Sequence, residues 1–128
     1  MNTLPISPRV LAFIAEKIDT VAALETLLIM SDDEQRLWSE SDIAARLYTQ
    51  PANALTVLNS LLRRELIAAE GKPPRFRFAP AHGEDRQLFG EVAEAYRRNL
   101  VAITTFIHSK ASASVKEFAR AFDLKKDQ

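Results

Sequence analysis

Apolar positions recur every three or four residues along most of this chain, and one short stretch switches to a period of two. Ser7-Pro8 supplies a cap and a first-turn proline, and Val10, Leu11, Phe13, Ile14 and Ile18 then predict a helix from Pro8 to Ile18. A second helix starts at Asp19 or Thr20, turns Val21, Leu24, Leu27, Leu28 and Ile29 inward, and ends at Ser31-Asp32-Asp33-Glu34. Ser39 caps a third, with Asp42 at capping-box spacing and Ile43, Ala44 and Leu47 on one face. Tyr48-Thr49-Gln50 makes a turn. Pro51 suits the first position of a fourth helix reaching about Glu65, because its missing N–H costs nothing there.

That fourth helix has two faces. Ala54, Leu55, Leu58, Leu61 and Leu62 form the buried one, with Val57 near the boundary. Asn53, Thr56, Asn59, Ser60, Arg63 and Arg64 remain for solvent. After Leu66-Ile67 the period drops toward two, and Gly71-Lys72-Pro73-Pro74 turns the chain. Arg75-Phe76-Arg77-Phe78 then sends both phenyl rings to one side of a strand and both guanidinium groups to the other.

Helix, turn, helix and a two-stranded hairpin in that order resemble a winged helix-turn-helix domain of the MarR-like bacterial regulator type, over roughly residues 21–81. The likeness lies in element order and pattern, without a signature motif. It implies a mainly α fold with a small β wing, in which the helix after Ser39 supports and the helix from Pro51 enters the DNA major groove. It further implies that Asn53, Thr56, Asn59 and Ser60 reach base edges. Arg63 would reach a phosphate or a guanine with Arg64 beside it, and Lys72, Arg75 and Arg77 on the wing would lie along the phosphates or the minor groove. Leu37-Trp38 would be the very short strand that pairs with the wing, or else plain core. One departure stands out: from Ala52 to Leu62 the recognition helix carries no charge.

Ala79-Pro80-Ala81-His82-Gly83 reads as a linker. From Glu84 to about Ser109 no proline occurs, and Leu88, Val92, Tyr96, Leu100, Ile103 and Ile107 repeat at helical spacing. One continuous helix of that length would extend about 39 Å, more than a domain of this size needs for its own packing. The expectation is therefore a homodimer whose interface is that six-residue stripe. The first helix either joins that interface or covers its own core. Val115, Phe118, Ala119 and Phe122 predict a short amphipathic tail helix that docks on the dimer or on a protein partner, before a frayed end at Asp123–Gln128. The resulting divisions are 1–20, 21–81, 84–110 and 111–128.

Composition narrows the function. At 128 residues with 47% hydrophobic and 27% charged side chains, the chain suits one globular domain. It has no cysteine, and hence no disulfide or thiolate metal site. Neither a signal peptide nor a bilayer-length apolar run is seen, so a cytoplasmic protein without membrane attachment is expected. Net charge is zero, against bulk electrostatic binding of nucleic acid. The charge is uneven, however: Arg63, Arg64, Lys72, Arg75 and Arg77 face only Glu65 and Glu70, whereas Asp32 to Asp42 is acidic. A positive wing and a negative edge would orient the domain on a polyanion.

Little suggests catalysis. His82 and His108 have no cysteine partner and belong to no metal-type cluster; His82 with Glu84 and Asp85 makes at most a weak divalent-metal site. Asp32, Asp33 and Glu34 read as a solvated helix end. No enzyme activity, metal or cofactor is expected. Two functions remain: a homodimeric transcription regulator that binds double-stranded DNA, and a winged-helix module that binds protein instead.

Overall fold

The computed structural model describes residues 6–110. Its elements are α1 (Pro8–Lys17), α2 (Val21–Ser31), α3 (Glu40–Leu47), α4 (Pro51–Arg63), β1 (Ile67–Glu70), β2 (Arg75–Phe78) and α5 (Asp85–Arg98), followed by a further helical stretch over residues 100–110, here α6. Over the described residues the chain is mainly α, with one small antiparallel hairpin. The expected tail helix around Phe118 and Phe122 lies outside the described residues.

Local chemistry explains most boundaries. The Ser7 and Thr20 side chains accept from the Arg9 and Ala23 amides at the starts of α1 and α2. At α3 the full capping box forms: Asp42 N–H donates to Ser39 Oγ, and Ser39 N–H to Asp42 Oδ2, each at 3.0 Å. Pro51 opens α4 as its fixed φ favours. Gly71, at φ +81°, supplies the left-handed residue that the hairpin turn requires.

The centre of the packing is α2. Ala23, Leu24, Thr26, Leu27 and Met30 are all buried, and α2 packs against α3, α4 and β2. It is apolar nearly all round, as a helix covered on several sides must be. Thr26, buried among these side chains, satisfies its hydroxyl by donating to the Ala22 carbonyl at 2.8 Å. On α4, Ala54, Leu58 and Leu61 are buried, while Leu55, Val57 and Leu62 pack half-buried at the rim.

β1 and β2 pair in the register Ile67↔Phe78 to Glu70↔Arg75. Phe76 and Phe78 are buried on one side of β2, as the alternation predicts. Trp38 extends this sheet by an isolated antiparallel bridge, with Trp38 N–H donating to the Phe76 carbonyl at 2.7 Å and Phe76 N–H to the Trp38 carbonyl at 2.8 Å. Trp38 is both bridge and core, since its side chain is buried as well.

The C-terminal half corrects the sequence reading. The predicted single helix from Glu84 to Ser109 is two, because Asn99 leaves helical geometry at φ −136°, ψ 53°. Beyond the break, α6 buries Ile103 and Ile107. Val92, Tyr96, Ile103 and Ile107, expected at a dimer seam, are instead buried in the chain's own core, and Leu88 is half-buried. Of the six expected interface residues only Leu100 is exposed, at 54%. α1 packs against α5, so the extra N-terminal helix covers the chain's own core. One hydrophobic cluster takes side chains from every helix and both strands.

Ile103 therefore distinguishes a core residue from a seam residue. Ile103→Asp puts an unpaired charge at a fully buried position, and a loss of several kcal/mol is expected. Thermal melting should show a strongly destabilised or unfolded chain. A variant that melts like wild type but sediments at half its mass would restore the dimer seam.

Candidate nucleic-acid interface

The candidate face is built on α3, α4 and the hairpin. α3 and α4 pack closely together, α4 leans on β1, and the Trp38–Phe76 bridge ties the start of α3 to β2. With Ala54, Leu58 and Leu61 directed into the core, helical geometry turns Asn53, Thr56, Asn59 and Arg63 outward, and all four are exposed. Asn53 Nδ2 donates to Thr49 Oγ1 at 2.9 Å and is held against the turn. Thr56 bonds its own helix at the Ala52 carbonyl, 3.1 Å away.

Two of the side chains expected on DNA are engaged elsewhere. Ser60 Oγ donates to Asp19 Oδ2, and an Arg64 Nη donates to Asp19 Oδ1, both at 3.0 Å. Lys110 stands beside the same carboxylate at 3.6 Å and donates to the Ile14 and Ile18 carbonyls at the end of α1, at 3.0 and 2.7 Å. One polar knot thus joins α1, the α1–α2 link, α4 and α6. Ser60 and Arg64 lie half-buried on this flank.

The hairpin sorts its cations similarly. Arg77 Nε donates to Glu70 Oε2 at 2.6 Å across the strands, and Arg77 is half-buried. Lys72 and Arg75 are exposed and, among the described residues, make no ion pair within 4.0 Å. Of the residues expected to meet DNA, Asn53, Thr56, Asn59, Arg63, Lys72 and Arg75 are therefore presented to solvent, while Ser60, Arg64 and Arg77 are held within the molecule.

The structure adds two cations that sequence reasoning passed over. The Arg36 guanidinium stacks 3.7 Å from the Trp38 ring centroid, and the Arg46 guanidinium lies 5.5 Å from it. Both arginines are exposed along α3 and its lead-in. The neighbouring acids are divided: Asp42 serves the capping box and also pairs with Arg36 at 3.9 Å, whereas Glu34 pairs with Arg86. The only sequence signal for Arg46 was its place on the polar face of α3.

The weak metal grouping considered around His82 does not assemble. His82 Nε2 pairs with Glu65 Oε1 at 2.9 Å, whereas Asp85 is buried against Lys17 Nζ, also at 2.9 Å. The His82–Glu84–Asp85 grouping is thus drawn apart. Among the described residues, no three histidine, aspartate or glutamate side chains cluster for a metal ion.

Two carboxylates on or beside this face contribute to the acid response. Burial opposes ionisation of Asp19, but the Ser60 hydroxyl, Arg64 and Lys110 outweigh it and hold the carboxyl below its ordinary value. Asp42 is held low chiefly by the Ser39 amide, which outweighs its slight burial, with help from the Ser39 hydroxyl, Arg36 and Arg75. Both folded pKa values are depressed, so both contributions are complete above about pH 4 and disappear as pH falls through the lowered values. Asp19→Asn should be less stable at pH 7 and should lose less stability on acidification than wild type. Urea melts between pH 7 and 2 check this. A variant with the wild-type acid slope would contradict it.

No family model, curated protein or solved structure matches the chain.

Proposed function

We propose that this protein is a DNA-binding regulator of the winged-helix kind, with α4 in the major groove and the hairpin tip on the backbone. The observation that carries the reading is the joint presentation of an uncharged, hydrogen-bonding stripe on α4 and exposed cations on the neighbouring hairpin. Asn53 and Asn59 have the paired donor and acceptor that adenine edges require, and the Thr56 methyl suits a thymine methyl. Arg63 at the end of the stripe and Lys72 and Arg75 at the wing supply positive charge on either side. The first turn of α4 contains no acid, so its dipole is left to favour a phosphate.

Neutral net charge fits this division of labour. A reader of base edges needs few phosphate contacts for register, and Arg36 and Arg46 extend the basic margin along α3. The reading does not call on a dimer through the C-terminal helices, whose apolar stripe is used internally. It also requires no cofactor.

Salt-dependent titration against duplexes selected from genomic fragments tests the proposal. Replacing Lys72 and Arg75 together with alanine should weaken all duplexes alike. The log–log salt slope should flatten by about 0.9 for each phosphate that is no longer neutralised. Asn59→Ala should leave the slope unchanged and cost about 1–3 kcal/mol of discrimination at particular base pairs. A wild-type chain that binds no duplex at low salt would overturn the proposal in favour of a protein-binding module.

A further inference from the structure

Tyr48 closes α3 in a conformation that its side chain does not favour. Its backbone sits at φ 56°, ψ 48°, the left-handed geometry in which helix ends ordinarily place glycine or asparagine. An L-residue with a Cβ is strained there. The backbone bonds that end the helix, Tyr48 N–H to the Ala45 carbonyl and Thr49 N–H to the Ala44 carbonyl, can be made by any residue at this position.

Nothing within the described residues compensates for the aromatic ring. Tyr48 is 96% exposed, the most exposed large apolar or aromatic side chain among the described residues, and its hydroxyl makes no hydrogen bond to them. The fold alone would be served better by glycine. Backbone strain that is retained without internal compensation points to an external use for the side chain.

The position of Tyr48 indicates the use. It lies between Arg46, exposed at the end of α3, and Thr49, whose hydroxyl holds Asn53 on α4. We infer that Tyr48 is a backbone contact of the same DNA face, its hydroxyl donating to a phosphate oxygen beside the base pairs read by the start of α4. This rests on the duplex-binding reading and extends it to a residue outside the basic and amide set. A tyrosine hydroxyl is among the neutral groups that hold phosphates without carrying sequence information.

A neutral donor has a different signature from a cation. Its removal should lower affinity for every duplex while leaving the salt slope unchanged, because no counterion is exchanged. Tyr48→Gly should melt no lower than wild type and bind roughly tenfold more weakly to all sequences. Tyr48→Phe, which retains the ring, should reproduce most of that weakening. The inference is overturned if Tyr48→Gly or Tyr48→Phe binds as wild type does, or if the weakening tracks a lowered melting temperature or a flatter salt slope. Absence of duplex binding by the wild type would overturn the underlying reading and this inference with it.

Discussion

Two backbone hydrogen bonds between Trp38 and Phe76 determine how the two halves of the candidate face stand together. The hairpin alone is four residues to a strand, too short to be stable in water without further packing. Trp38 gives it a third partner and fastens β2 to the residue just before the α3 cap. Phe76 and Phe78 are thereby directed into the core, and Lys72 and Arg75 are left outside. The same alternation that buries the rings thus turns Arg75 to solvent and brings Arg77 against Glu70. Packing and charge presentation are two consequences of one register.

Much of this was legible locally. The Ser39–Asp42 capping box, the proline start of α4 and the alternation of Arg75 to Phe78 are all short-range signals, and each forms as read. The apolar face of α4 followed from spacing alone. The Asn99 break did not, for a physical reason. Ile103 follows Tyr96 by seven residues and Ile107 by eleven, so the stripe stays in phase across a one-residue interruption. The stop signal was present in weak form: Arg97-Arg98-Asn99 places two cations in the last turn, where the helix dipole favours them, ahead of a residue tolerant of non-helical geometry. A stripe long enough to suggest a second copy is instead folded back on its own chain.

The engagement of Ser60 and Arg64 was invisible for a different reason. Their partner, Asp19, is 41 and 45 residues away, and no helical periodicity reports such a pairing. The amphipathic pattern distinguishes inside from outside but not a free outer flank from one tied to a neighbouring element. Arg36 and Arg46 illustrate the converse. Charge counting along the sequence made Asp32 to Asp42 simply acidic, whereas the fold gives Glu34 to Arg86, uses Asp42 both to cap α3 and to pair with Arg36, and stacks the Arg36 guanidinium on Trp38 with Arg46 farther from the ring. Net charge over a segment is a poor guide once particular carboxylates have been taken up.

The central claim is that one continuous surface, from the Tyr48 turn along the outer side of α4 to the hairpin tip, meets duplex DNA. Amide chemical shifts recorded while a selected duplex is added to the full chain test it most directly. The account predicts changes concentrated at residues 48–63 and 71–75, with smaller ones at Arg36 and Arg46. Changes confined to α1, α5 and α6, or no change at a duplex concentration that saturates the binding assay, would contradict it.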